Sequence, residues 1–154
     1  MSMLSSDQRA QEEQRAQTCR EELVERIVHA LAQDGSAEPL RGLFLFRASR
    51  PTEPLHGLYE PAFCVVAQGS KEVLLGDDRF RYDPAHYLLA TVGLPTVSHI
   101  VEASRTRPYL SLRLSLDLSL VSSVMLEAGY QPARSIADAR AMACLLYTSD
   151  AADE

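Results

Sequence analysis

The histidines are the first residues of the sequence that could do metal chemistry. A metal site inside a small β-barrel needs a His-x-His pair, a Glu a few residues on and a later His, all directed inward. The four histidines are His29, His56, His86 and His99, and no two are separated by a single residue. His86 and His99 could lie on neighbouring strands, but two ligands are too few. The sequence therefore predicts no metal site and no cofactor.

The cysteines are the next candidates for chemistry. Cys19, Cys64 and Cys144 are too scattered for a disulfide framework or a zinc knuckle. Cys64 lies within an apolar run, which favours a buried, inert, small hydrophobic side chain. The alternative is a thiol that faces the interior of the domain and senses electrophiles or oxidants. That role predicts thiolate character at neutral pH.

Arg113 is a candidate for binding an anionic small molecule. It lies on the non-leucine face of an alternating run, where its guanidinium could pair with a carboxylate in the interior. The flanking Ser111 and Ser115 slightly favour the other interpretation, a solvated outer face. The alternation alone does not decide which face is inside. The candidate ligand-binding residues are Tyr59, Cys64, His99 and Arg113.

A further group of residues has the character of turns. Glycine permits a positive φ, aspartate bonds its own backbone, and proline fixes φ. We interpret these residues as fold-specifying rather than catalytic: Gln68, Gly69, Lys71, Gly76, Tyr82, Asp83 and Pro84. The sequence has no Gly-x-Ser-x-Gly elbow and no phosphate-binding loop. We therefore predict that the protein is not an enzyme.

The elements that must position these residues are mainly strands. Residues 7–33 predict one helix, with an apolar stripe in the second half and Gly35 as its stop. Residues 50–61 contain three prolines and are predicted to form a connection between strands. Short β-like runs with turn signals between them predict a sandwich or small barrel, with strands at 43–49, 62–68, 71–75, 79–82, 86–91, 96–103 and 109–116. Asp117 then fits the N-cap of a second helix that ends before Gly129.

The stretch 50–129 resembles the N-terminal domain of AraC-type transcriptional regulators. The family pattern runs Tyr-x-Pro, an apolar strand, Gln-Gly-x-Lys, Gly, Tyr-Asp-Pro-Gly-x-Tyr-Leu and a late Pro-Tyr strand. The sequence has Ala85 where that pattern has a glycine. The matching residues are Tyr59, Pro61, Gln68, Gly69, Lys71, Gly76, Tyr82, Asp83, Pro84, Tyr87, Leu88, Pro108 and Tyr109.

The resemblance implies a mainly β fold, a cupin-like (jelly-roll) β-barrel preceded by one α-helix and followed by one helix. It implies a module that binds an unknown small-molecule effector or forms a homodimer. DNA would be bound only through a separate C-terminal helix-turn-helix domain, which is absent from this sequence. Two alternatives remain open: a stand-alone cupin-like small-molecule-binding protein and a metal-dependent enzyme.

Composition and the ends of the chain complete the prediction. The net charge of −6 becomes −3 (15 basic against 18 acidic residues) without the acidic residues of 144–154, so acidity is weak evidence against nucleic-acid binding. No apolar run is long enough to span a membrane, and the polar start lacks a signal-peptide core, so we expect a cytoplasmic protein. Residues 144–154, CLLYTSDAADE, resemble a translated sequencing adapter and hold three of the acidic residues. We expect an N-terminal helix at 1–34, the AraC-type domain at 35–143 and a non-native tail at 144–154, with the natural protein continuing beyond 143.

Overall fold

The structure is a computed structural model that describes residues 5–91, 93–129 and, for the backbone alone, 142–146. Two helices are described, α1 at Ser6–Ala30 and α2 at Leu118–Glu127. The strands are β1 Gly35–Leu40, β2 Leu43–Ala48, β3 Leu55–Tyr59, β4 Ala62–Gln68, β5 Ser70–Leu75, β6 Asp78–Tyr82, β7 His86–Ala90, β8 Leu94–Glu102, β9 Tyr109–Ser115 and β10 Met142–Leu146.

The described strands form two sheets in which every neighbouring pair is antiparallel. One sheet has the order β1-β2-β9-β4-β7-β10, and the other has the order β3-β8-β5-β6. This arrangement is compatible with a jelly-roll-like sandwich, although the described strands do not close a barrel. The predicted fold class, mainly β with one helix before the strands and one after β9, is confirmed.

Helix α1 forms because its start is capped and one of its faces is apolar. The Ser5 hydroxyl accepts from the backbone N–H of Gln8, and the Gln8 side chain accepts from the backbone N–H of Ser5, which completes a capping box. The predicted apolar stripe packs on the six-stranded sheet, where Ile27 is buried with Leu45 and Leu110. None of the described helices is long and apolar enough to cross a membrane.

Two strands contradict the sequence prediction. β1 begins at Gly35, the residue that we expected to stop the helix, which instead ends at the C-cap Leu31. β3 lies inside the predicted proline-rich connection 50–61. Both are edge strands whose side chains are mostly exposed. An exposed edge strand has no alternation of apolar and polar residues, so the pattern that marks a strand is missing.

The alternation in β9 divides the hydrophobic core into two layers. Leu110 and Leu112 pack with the cluster under α1. Tyr109 faces the other way and packs with the inter-sheet cluster, which includes Val73 and Leu88. β9 therefore places one of its faces against the helix and the other between the sheets.

The segment after β9 forms α2 as predicted. The Asp117 carboxylate accepts from the backbone N–H groups of Ser119 and Leu120, so it caps the helix. β10 then pairs with β7 and runs across the predicted boundary at 143. The adapter origin of the tail stays a prediction, and residues 147–154 lie outside the described part of the chain.

Candidate functional site

A cavity of about 270 Å³ lies between the two sheets. Strands β3, β5, β6 and β8 of one sheet and β2, β4 and β9 of the other contribute to its wall. A few polar groups within a largely apolar concave wall are typical of small-molecule sites. The ionisable residues that line the cavity are Tyr59, Cys64, Lys71, Tyr82, Tyr109 and Arg113.

Three tyrosines meet at the cavity wall. The hydroxyl oxygens of Tyr59 and Tyr82 are 3.3 Å apart, and the hydroxyl of Tyr109 lies near those of Tyr82 and Ser111. Burial raises the pKa of all three phenols, that of Tyr109 to about 12. The phenols are therefore neutral at physiological pH, and they offer the cavity hydroxyl groups that can donate or accept.

Two cations reach the cavity from opposite sheets. Lys71 is on β5 and Arg113 is on β9. The Lys71 Nζ lies 5.5 Å from the centroid of the Tyr59 ring, and the Arg113 Cζ lies 4.7 Å from the centroid of the Phe44 ring. Burial lowers the pKa of Lys71, and the positive charge of Arg113 also lowers it. The cavity thus presents positive charge beside neutral hydroxyl groups.

Cys64 lines the cavity from β4, opposite Arg113 and Leu88 in the strand register. It is 4 % exposed. Burial raises the pKa of its thiol to about 11, against the opposing effect of the Lys71 charge. The thiol is therefore protonated at neutral pH. This state agrees with the buried, inert interpretation of Cys64 and not with a reactive thiolate.

Comparison with models of protein families shows to which family the chain belongs. The family model of the AraC-type transcriptional regulator N-terminus matches residues 39–154, which is more than half of the sequence. The chain belongs to this family. The resemblance drawn from residues 50–129 is thereby confirmed. No curated protein matches the chain.

The AraC-type domain brings together three of the four predicted ligand-binding residues. Tyr59, Cys64 and Arg113 all line the cavity. His99 does not, because β8 turns Thr96, Ser98 and Ile100 toward the cavity and therefore turns His99 to the other face. There the His99 Nε2 lies 4.0 Å from a Glu72 carboxylate oxygen.

The slight preference for a solvated position of Arg113 is wrong. Tyr109, Ser111 and Arg113 share the face of β9 that lines the cavity, and Ser111 is buried there. Small hydroxyl side chains suit a polar cavity wall as well as they suit solvent. Their presence in a strand therefore does not reveal which face of the sheet is exposed to solvent.

The two histidines considered as neighbours lie in different sheets. His86 begins β7 of the six-stranded sheet, whereas His99 is on β8 of the four-stranded sheet. The His86 Nδ1 is 2.8 Å from a carboxylate oxygen of Asp83. Within residues 5–91 and 93–129, no group of three or more His, Cys, Asp or Glu side chains is placed to hold a metal ion.

The residues assigned to turns serve two different purposes. Gly69 has a φ of +83° and Gly76 has a φ of +58°, so both adopt the conformation that favours glycine. The Gln68 side chain donates to the carbonyl oxygen of Pro108 at 2.8 Å. The Asp83 carboxylate accepts from the backbone N–H of Ala85 at 2.9 Å and so bonds its own turn, directly before Pro84.

Lys71 and Tyr82 are members of the same motif, but their side chains line the cavity. Sequence reasoning did not place them there. One signal was available for Lys71, the single lysine of the chain within a strand-like run. A lone cation in an otherwise β-like segment is a candidate ligand when the segment folds into a sandwich. Tyr109 and Ser111 were overlooked because both look like ordinary members of an alternating strand.

Proposed function

We propose that this AraC-type domain is the regulatory part of a transcription factor and that the cavity between its sheets binds a small-molecule effector. The observation that supports this proposal is the combination of two cations and three neutral phenols around one cavity of about 270 Å³. Polar groups that converge in this way fix the orientation of a bound molecule. Because the family is one of regulators, we do not assign a reaction to the cavity. We also propose that the protein acts in the cytoplasm.

The proposed mechanism is a shift of conformational populations. β9 contributes Tyr109, Ser111 and Arg113 to the cavity and is separated from α2 by only two residues. A molecule bound against this strand favours one position of β9. Since Asp117 caps α2 directly after the strand, that position also determines where the helix begins. An effector would thus act on other parts of the regulator through β9 and α2.

The test fills the cavity without changing its charge. Ser98 lines the cavity, whereas the adjacent Val97 faces the other side of β8, so Ser98→Trp and Val97→Trp form a matched pair. The host strain that lacks the gene is complemented with wild type or either variant, and its transcripts are profiled. We expect Ser98→Trp to lose the wild-type response of the regulated genes at equal protein level, and Val97→Trp to retain it.

Two results would argue against the proposal. If deletion of the gene leaves the transcript profile unchanged, the chain has no regulatory role under the conditions tested. If Ser98→Trp restores the full wild-type profile, the cavity is not the site through which the regulator is controlled. Circular dichroism of each purified variant establishes that the added indole has not unfolded the domain.

A second proposed role is dimerisation through α2. This helix has no buried residue, and its exposed apolar side chains are Leu118, Leu120, Val124, Met125 and Leu126. Exposed apolar groups grouped on one element are typical of interaction surfaces. We expect sedimentation velocity to show a dimer that Leu120→Lys with Val124→Lys dissociates and Ser122→Lys leaves intact. A wild-type protein that stays monomeric at 100 µM (about a hundred times a 1 µM dissociation constant) would contradict this role.

A further inference from the structure

The charges around the cavity are unbalanced. The two cations, Lys71 and Arg113, both line it, while none of its described lining residues is an aspartate or a glutamate. Each cation belongs to a different sheet, so the positive charges face the cavity from two sides. The positive charge of Arg113 lowers the pKa of Lys71, as expected for like charges that face one cavity.

Other cations on the described strands have carboxylate partners. The Arg81 guanidinium lies 2.6 Å from a Glu102 oxygen, and the Arg79 guanidinium lies 3.6 Å from a Glu72 oxygen. Within the described part of the chain, neither Lys71 nor Arg113 forms such a pair. Each lies instead over an aromatic ring, which attracts a cation less strongly than a carboxylate does at the same depth.

A partly buried pair of like charges without an anion is unfavourable, because both cations lose solvation and repel each other. An anion that binds between them relieves both costs. The neighbouring phenols of Tyr59, Tyr82 and Tyr109 do not supply it, since burial keeps them neutral. A molecule from outside that carries a negative charge would supply the missing partner.

On this basis, and resting on the effector role proposed above, we infer that the cavity binds a small organic acid. Its carboxylate lies between Arg113, whose guanidinium offers paired donors, and Lys71, which supplies a point charge. The tyrosine hydroxyls and the Phe46 ring contact the rest of the molecule. A cavity of about 270 Å³ accommodates a molecule of the size of a single ring with short substituents.

The placement of the two cations also gives the ligand a mechanical effect. Lys71 belongs to the four-stranded sheet and Arg113 belongs to the strand that precedes α2. A carboxylate that contacts both side chains joins the two sheets across the cavity. Removal of either cation should therefore reduce the ligand-induced stabilisation of the sandwich in step with the loss of affinity.

The experiment compares acids with their neutral amides. Acetate, benzoate and 4-hydroxybenzoate are titrated into the purified full chain at constant ionic strength, beside acetamide, benzamide and 4-hydroxybenzamide. Binding is measured by calorimetry and by the shift of the thermal midpoint. We expect at least one acid to bind and its amide to bind at least tenfold more weakly, as expected for the loss of charge-assisted hydrogen bonds.

Substitutions then test whether Lys71 and Arg113 are the cations that bind the carboxylate. Lys71→Met and Arg113→Met keep the aliphatic stem and remove the cation, and each should weaken binding of the acid about tenfold or more. Arg79→Met is the matched control, because Arg79 is an exposed cation of the neighbouring β6 that is not among the lining residues. Its binding should equal that of wild type.

The outcomes separate this inference from the proposed function. If acids and amides bind equally, or if both methionine variants bind like wild type, the anion specificity is refuted while the effector cavity stands. If neither the acids nor the amides bind, the inference is refuted, and the effector role is then decided by the Ser98→Trp experiment alone.

Discussion

Gly69 gives the most direct test of how the backbone supports the cavity. It lies between β4 and β5 with a φ of +83°, a region that side chains other than glycine rarely adopt. A Cβ at this position would collide with the backbone carbonyl oxygen of Glu102. It would also lie 3.1 Å from the Cα of Tyr109, the residue that begins β9 at the cavity wall.

The magnitude follows from comparison with Gly76. That glycine has a φ of +58°, and a Cβ there would have nothing within 4 Å. Left-handed backbone costs an alanine about 1–2 kcal/mol, and the reduced freedom of the unfolded chain returns about 0.4–1 kcal/mol. We therefore expect Gly76→Ala to lower the free energy of unfolding by about 0–1.6 kcal/mol. Gly69→Ala adds a clash against backbone, which costs about 1–3 kcal/mol more.

Urea denaturation and thermal unfolding, each followed by circular dichroism, measure the stability of both variants. We expect the midpoint of thermal unfolding to fall by about 2–4 °C for each kcal/mol lost in a domain of this size, so the two variants should be clearly separated. The fluorescence of Tyr109 and its neighbours should also change in Gly69→Ala, because the clash displaces the start of β9. Equal destabilisation by the two substitutions would refute the steric argument and leave only the cost of the positive φ.

Three further predictions concern the core and the buried thiol. Ile27→Ala should lower the free energy of unfolding by about 2–5 kcal/mol, because the Ile27 side chain of α1 is only 1 % exposed. Val28→Ala is the control and should cost far less, because Val28 is 40 % exposed, so similar urea midpoints for the two variants would contradict the packing of α1. In a Cys144→Ser background at pH 7, a thiol reagent should label the exposed Cys19 rapidly and Cys64 only after denaturation, since Cys64 is buried and protonated. Prompt labelling of both thiols would show that Cys64 is not buried. The pKa of the Cys64 thiol is about 11 in the folded protein against an ordinary 9.0, so the free energy of unfolding should fall by up to about 3 kcal/mol as the pH rises through that interval. Cys64→Ala should lose less stability than wild type between those two pH values, and parallel curves of stability against pH would refute this expectation.

Most of the strands could be predicted from the sequence, among them the exposed edge strand β6, which lies between two clear turn signals, whereas β1 and β3 could not. β4, β5 and β9 combine apolar residues with nearby turn signals, and each was placed within a residue or so of its observed bounds. β1 and β3 were missed because an edge strand with exposed side chains shows no periodic burial. The register of β3 with β8, which brings Tyr59 to the cavity, depends on contacts between residues far apart in the chain.

The candidate site was only partly predictable for the same reason. Arg113 and Cys64 could be named from their own strands, but the side of the sheet to which Arg113 points could not. Lys71 and Tyr82 were assigned to turns because the motif that contains them is local, whereas the cavity they line is made by two sheets.

The sequence by itself determined the family, the strand-rich fold and the second helix with its Asp117 cap, because turn residues, caps and alternation act over a few neighbouring positions. Only the tertiary structure decided which polar residues share a cavity and which, like His99, face away from it. The meeting of Lys71 and Arg113 is the clearest case. Their strands belong to different sheets, so their approach depends on how the sheets pack and not on any spacing along the chain.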